Sequence, residues 1–253
     1  MFDYLILLIV SFLANAFSAF VGGGAGLLQL PVLLFLGLTF STALATHKIA
    51  TVALGIGATL RHLRERSLNF RFSLLILASG VPGVILGANI ILMVPHNHAI
   101  LMLGILTIAL GLYSWSSREL GQQSVFKNRS IYGYIVGSSV IFLIGILNGS
   151  LTSGTGLFVT LWLIYWFGLD YKSAVAYTLV LVGLFWNGSG ALTLVLQTDV
   201  RWDWLPVLLV ASIAGGYAGA HMSIVKSNKI IKRSFEVVTI LVGAKLVFSG
   251  LMN

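Results

Sequence analysis

Ten apolar runs follow one another along this chain, separated by short polar stretches. They lie near residues 4–20, 26–38, 41–60, 72–94, 98–115, 131–147, 155–168, 173–196, 205–225 and 234–251. A soluble domain carries roughly a quarter charged residues. This chain has 9% charged against 58% hydrophobic, so water cannot be its surroundings. A helix crosses the hydrocarbon core in about 20 residues, and most of the runs are near that length. The sequence therefore predicts an all-α polytopic membrane protein, multi-pass in the cell (plasma or inner) membrane, with the lipid bilayer as its solvent. No cleavable signal peptide is expected, because the N-terminus lacks a basic n-region and a small-residue cleavage site. Cysteine is absent, which excludes disulfides, a thiol nucleophile and thiolate metal sites.

The net charge of +8 does not call for nucleic acid, because basic loops are how a membrane chain holds its cytoplasmic side. Loop 61–71 holds four arginines, loop 116–130 holds Arg118, Lys127 and Arg129, and loop 226–233 holds three lysines and an arginine. Loop 197–204 has only Arg201 against Asp199 and Asp203, and the turn 94–98 has no Lys or Arg. The three basic loops are expected in the cytoplasm. Ten crossings then place both termini outside. The runs 26–38 and 155–168 are short, and whether they cross fully stays open.

The two halves resemble each other. Gly24, Gly26 and Leu27 align with Gly154, Gly156 and Leu157; Ala43, Ala45 and Gly57 with Ala174, Ala176 and Gly188; Phe70, Gly87 and Ala88 with Trp202, Gly219 and Ala220. Corresponding loops carry opposite charge character: 61–71 is basic and 197–204 is not, while 94–98 has no Lys or Arg and 226–233 is basic. The expected architecture is two inverted-topology helical repeats with glycine-broken helices near the midplane. An N-terminal repeat (1–115) and a C-terminal repeat (131–253), each of about five segments, flank a cytoplasmic connecting loop (116–130). Secondary transporters are built this way.

Glycine explains itself within that frame. "FVGGGAGLLQLP" and "ILNGSLTSGTGLFVTL" interrupt apolar runs with a poor helix former. Glycine lets a chain leave helical geometry, and a helix beginning after such a break points its N-terminus, and its partial positive charge, at the protein's middle. Gly22, Gly23, Gly24 and Gly26 in the first stretch and Gly154 and Gly156 in the second are candidate substrate contacts. So are the neutral polar groups Gln29, Asn148, Ser150, Thr152, Ser153 and Thr155. Close helix packing is the competing account, and it suits Gly80, Gly83, Gly87, Gly215, Gly216 and Gly219.

Lys48 lies deep in an apolar run beside His47. An ionisable residue there is costly and is a functional candidate by default; snorkelling or packing is the alternative. Helical spacing aligns Lys48, Thr51, Gly55, Thr59 and His62 on one stripe. No Asp or Glu sits mid-span to pair with Lys48, so an anion is the expected partner. Thr46, His47, Thr51, Thr178 and Asn187 complete the candidate substrate-binding set. No catalytic residue, metal site or cofactor is expected.

"FVGGGAGLLQLPVLLFLGL" followed by "ALATHKIATVALGIGATLRHLRERSLNF", with a weaker copy in the second half, resembles the sulfite exporter TauE/SafE family over essentially the whole chain. The resemblance implies export or exchange of small anions, such as sulfite, sulfoacetate or related organosulfur and carboxylate compounds. It does not fix the substrate. An anion channel or an importer of another small solute stays open. More distant is an intramembrane hydrolase using Ser150 or Ser153 with His47, for which the serine elbow and an orienting Asp are missing. The second half departs from the first, with Leu161 in place of Pro31 and Thr178-Leu179 in place of His47-Lys48, so an asymmetric site is expected. A homo-oligomer is compatible with the sequence, which does not determine the oligomeric state.

Overall fold

Three helices begin where a short polar side chain can receive a free backbone N–H. Asn69 accepts from Phe72 N at 3.0 Å, Ser130 from Gly133 N at 3.2 Å and Asp170 from Ser173 N at 2.9 Å. Each cap satisfies one of the donors that a helix start leaves open. The computed structural model describes residues 2–62, 68–91, 96–117, 120–152 and 154–252. In chain order the helices are α1 (Phe2–Val21), a 3₁₀ turn (Ala25–Leu27), α2 (Gln29–Phe35), α3 (Phe40–His62), α4 (Phe70–Ile90) and α5 (His96–Ser116). Then come α6 (Ile131–Ser150), α7 (Thr155–Tyr165), α8 (Tyr171–Tyr177), a π-helical segment (Thr178–Trp186), α9 (Asn187–Val195), α10 (Leu205–Val225) and α11 (Asn228–Met252). The stretch α8 to α9 is continuous, so the helices correspond one for one to the ten apolar runs.

Among the described residues, six helices are long and apolar enough to cross a membrane: α1, α3, α4, α6, the continuous Tyr171–Val195 stretch and α10. Ala25–Phe35 and Thr155–Tyr165 are apolar but short. With 11 residues, α7 reaches about 16 Å, roughly half of a hydrocarbon core. The basic stretch 226–233 is more helical than the sequence suggested, since α11 begins at Asn228. Lys232 finds Glu236 one turn on, both nearly buried, and Ser114 Oγ donates to the same carboxylate at 3.1 Å.

α1 packs along α10, α4 along α6, and α5 along α11, while α3 lies against α10, the π segment and α9. Glycine makes the first two contacts close. Methyl groups added at Gly83 would stand about 3.1 Å from Ile146 N, and at Gly215 3.0 Å from Ala16 N. These are the small-residue faces that membrane helices use in place of a hydrophobic drive. Large apolar side chains such as Leu13, Leu74, Ile135 and Leu241 are exposed on the outside, where lipid would lie.

The loops sort by charge. At one end, Arg61 Nε donates to His221 Nδ1 (3.1 Å), Asn69 N to the Tyr177 hydroxyl (2.8 Å), Lys172 Nζ to Ile224 O (2.7 Å) and Asn228 Nδ2 to Gln122 O (2.9 Å). These bonds gather the described parts of 61–71, 116–130 and 226–233. Elsewhere, Arg201 N donates to Thr46 Oγ1 (3.0 Å) and Gln197 Nε2 to Asn89 Oδ1 (3.1 Å), which ties loop 197–204 to the other ends of α3 and α4. Arg201, the sole basic residue of that loop, is paired with Asp203 at 3.0 Å.

Candidate functional site

The two glycine-rich stretches break their helices in the same way. After α1, the amides of Gly22 and Gly23 both return to Ser18 O, at 2.9 and 2.8 Å. After α6, the amides of Leu151 and Thr152 both return to Leu147 O, at 2.9 and 3.2 Å. The chain then enters left-handed backbone, at φ 92°, 147° and 103° for Gly22, Gly23 and Gly24, and at 56° for Thr152 and 78° for Gly154. Only glycine takes such values readily. The breaks then meet. A methyl group on Gly23 would stand 2.6 Å from the Gly156 carbonyl carbon and 2.6 Å from Leu157 N. The contact is backbone against backbone.

Beyond the breaks the two halves diverge. Gly154 leads directly into the 11-residue α7. Gly24 leads into one 3₁₀ turn and then the seven-residue α2. A helix start follows each break, as expected, but the first opens with a 3₁₀ turn before α2, which contains Pro31.

A cavity of about 40 Å³ opens beside this contact. Ser18, Gly23, Gly24, Ala25 and Gly26 line it from the first break, and Asn148, Thr152 and Gly156 from the second. His47, Thr51 and Leu54 of α3 face Thr178, Leu179, Val182, Gly183 and Asn187 across it. Among the described residues its lining contains no Asp or Glu.

Lys48 stands behind this wall, against the lining residues Asn148 and Asn187. It is fully buried, and its Nζ donates to Asn148 O (2.7 Å), Asn148 Oδ1 (2.8 Å) and Asn187 Oδ1 (3.1 Å). One ammonium thereby ties α3 to the end of α6 and the start of α9. The sequence suggested an unpaired cation; the structure gives it three neutral oxygens. Its hydrogen bonds are made, while its charge meets no carboxylate among these partners. Asn148 Nδ2 donates on to Thr155 Oγ1 at 2.8 Å, and that hydroxyl donates to Thr152 O at 2.9 Å, bridging the second break. His47 Nδ1 lies 2.7 Å from Gln29 Oε1, and Gln29 Nε2 donates to Ser11 Oγ at 2.9 Å. Since the amide oxygen can only accept, Nδ1 carries the proton.

Not every candidate arrives here. Thr46 accepts from Arg201 at one end of the bundle. Ser150 returns its hydroxyl to Ile146 O and Leu147 O of its own helix. Gly22, Gly154, Thr155 and Gln29 shape or brace the site without lining the cavity. The Gly22 carbonyl accepts from Thr160 Oγ1 at 2.8 Å, and the same hydroxyl, its one proton committed there, accepts from the Thr178 hydroxyl at 2.9 Å. Ser153 lies outside the described residues. Along the Lys48 stripe, Thr51 lines the cavity, but Gly55 is shut against the π segment: a methyl there would be 2.6 Å from Gly183 O. The stripe is thus a packed contact in this structure rather than an open path.

Ser18, Ala25, Leu54, Leu179, Val182 and Gly183 were not among the sequence candidates. Ser18 had a signal: Ser11, Asn15 and Ser18 fall at helical spacing in an otherwise apolar α1. Asn15 Nδ2 bonds Ser212 Oγ at 3.0 Å on that inward face. Gly183 had none, since its role depends on Gly55 of another helix.

Left-handed backbone at Gly154 supports a direct test. Gly154→Leu is expected to cut transport at least tenfold while the chain still inserts, because φ 78° strains any side chain and the new one would reach Leu27, 3.7 Å from the first added carbon. Initial rates in proteoliposomes check it, and wild-type rates would return Gly154 to plain packing.

The sulfite exporter TauE/SafE family matches residues 7–246. The chain is 30% identical to a "probable membrane transporter protein" of Haemophilus influenzae over 243 residues, covering 96% of this chain and 94% of that one. It is 28% identical to the "probable membrane transporter protein YfcA" of Escherichia coli K12, covering 97% and 90%. It is 22% identical to the "probable membrane transporter protein YunE" of Bacillus subtilis, covering 99% and 100%. No solved structure matches.

Proposed function

Because the chain belongs to the sulfite exporter TauE/SafE family and is a membrane transporter of it, we propose that it exports small anions by alternating access. Sulfite, sulfoacetate and related organosulfur or carboxylate compounds form the class. The observation that carries this reading is the central cavity, polar, small and free of carboxylates in its lining, with the Lys48 charge behind it. Thr51, Thr152 and Thr178 bring hydroxyls, and Gly156 lies in the first turn of α7, where backbone N–H groups favour negative charge. About 40 Å³ exceeds what one water needs and favours a substrate of a few heavy atoms.

Alternating access needs two parts that move against each other. The helix pairings support an inverted repeat: α1 lies on α10 as α6 lies on α4, and α5 meets its counterpart α11. In such folds the halves rock around a fixed central site, and the Gly23–Gly156 contact would be the pivot. The positioned groups favour transport over catalysis. His47 Nδ1 is held by Gln29, and Ser150 bonds its own helix.

Proteoliposomes tested with sulfite, sulfoacetate, sulfate and small carboxylates decide the reading. Saturable flux of one or more small anions, accelerated by anion on the opposite side, is expected. Flux that is linear and indifferent to the opposite side would make the protein a channel, and no flux of any anion would end the proposal.

Sidedness has its own test. Ser227 and Asp199 are both exposed and lie in loops of opposite charge character. On intact cells an impermeant thiol reagent is expected to label Asp199→Cys and spare Ser227→Cys. The reverse labelling would invert the orientation.

A further inference from the structure

A second, larger cavity lies away from the transport site. It has a volume of about 950 Å³ and opens at the basic end of the bundle, between the starts of α4, α6 and α8. Arg71 and Arg129 line it, together with Phe72, Phe126, Tyr134 and Tyr177. Among the described residues its lining, like that of the central cavity, includes no Asp or Glu, and the two cavities share no lining residue.

We infer that this cavity binds the headgroup phosphate of an anionic phospholipid. The first support is charge. Among the described residues neither arginine has an acidic partner. Asp170, a carboxylate near the cavity, already accepts from Ser124 Oγ (2.6 Å), Ser173 N (2.9 Å) and Ser173 Oγ (3.0 Å). The second support is the way Arg129 is held. Its guanidinium carbon stands 4.9 Å from the Phe72 ring centre, 4.8 Å from Phe126 and 5.8 Å from Phe167. Three aromatic rings hold the cation in place at the cavity wall, and none of them takes up the planar N–H donors that grip phosphate.

The third support is depth. Phe72 and Tyr134 belong to the first turns of α4 and α6, two of the membrane-crossing helices. The cavity therefore stands where a span meets the headgroup layer. Phe70, Phe126, Ile131 and Tyr132 are exposed beside it, as residues of an interfacial belt are. Below them the exposed side chains of Leu74 and Ile135 offer an apolar track along α4 and α6 for an acyl chain. A soluble anion would have no use for that track. Basic pockets between membrane helices are suited to acidic headgroups.

The test uses the full chain, delipidated in detergent and followed by native mass spectrometry during titration. The probes are phosphatidylglycerol, phosphatidylcholine with the same acyl chains, and glycerol 3-phosphate. Phosphatidylglycerol is expected to bind at least tenfold more tightly than phosphatidylcholine. Arg71→Gln and Arg129→Gln should each weaken it about tenfold, and Lys229→Gln, an exposed charge on the same face outside the lining, should not. Among the described residues Arg71 makes no cation–π pair with the rings that hold Arg129, so Arg71→Gln decides the matter if Arg129→Gln fails to fold. Equal binding of the two lipids would overturn the inference. Equal weakening by Lys229→Gln would replace it with diffuse attraction, and displacement of the lipid by equimolar glycerol 3-phosphate would make this a soluble-anion site. None of these outcomes depends on whether the central cavity transports sulfite.

Discussion

Gly23→Ala is expected to abolish transport, and Gly188→Ala to leave it intact. The two substitutions add the same methyl group to glycines of the same chain. At Gly23 the methyl would meet the backbone of Gly156 and Leu157 at 2.6 Å, from a residue at φ 147°. Backbone cannot rotate aside as a side-chain tip can. Nor is the stretch free to retreat, because the Gly22 carbonyl is held by Thr160, which is itself joined to Thr178. Overpacking costs roughly 1–3 kcal/mol, and the strained backbone about 1–3 kcal/mol more. Relief requires the two breaks to separate, which would disrupt the cavity they build. At Gly188 nothing lies within 4 Å of the added methyl, and alanine in a helix interior gains up to about 1 kcal/mol. Proteoliposome rates and thermal unfolding of both variants check the pair. Transport by Gly23→Ala within twofold of wild type would show that the two breaks need not touch to work.

That contact also marks where sequence reasoning stops. Hydropathy alone delimits the ten segments, because each helix must satisfy its backbone internally and show lipid an apolar surface. The two breaks were legible for a related reason: four glycines in twelve residues have few other uses inside an apolar run. Partners were not legible. Lys48 finds Asn148 and Asn187, 100 and 139 residues away, and no local pattern announces such pairs. Adjacency misled in two places. Thr46 neighbours His47 and Ser150 neighbours Gly149 in sequence, yet each turns to a different surface of its helix. The π winding of Thr178–Trp186 was also invisible. Its residues form an apolar run like any other, and the close approach of Gly183 to the α3 backbone at Gly55, beside the cavity that Thr178, Val182 and Asn187 also line, is a contact between distant segments. The start of α11 was hidden by composition. Four basic residues in eight read as loop, although Lys232 and Glu236 at i, i+4 are the kind of pair that supports a helix.

Lys48→Met is expected to raise the half-saturating concentration of the transported anion by tenfold or more, and to remove the anion's ability to stabilise the purified protein. Methionine keeps the length and apolar stem while removing the charge and all three donors. The loss acts on stability and on binding, and the two effects must be separated. Asn148 O, Asn148 Oδ1 and Asn187 Oδ1 lose their donor, and an unsatisfied buried polar group costs about 1–3 kcal/mol. Unfolding temperature should therefore fall whatever the function of Lys48. Loss of the cation should also weaken anion binding. Its three donors are already engaged, so it acts on an anion in the cavity through its charge, worth about 2 kcal/mol at about 7 Å and an effective dielectric of about 20, or roughly 30-fold in affinity. Lys48→Arg supplies the contrast: it keeps the charge but brings a larger, planar head that cannot reproduce three bonds from one nitrogen. It should lose stability as Lys48→Met does, yet keep part of the anion response. If the anion stabilises Lys48→Met by as many degrees as it stabilises wild type, Lys48 is a brace between α3, α6 and α9 and nothing more. The anion would then be held by the threonine hydroxyls and the backbone of the two breaks.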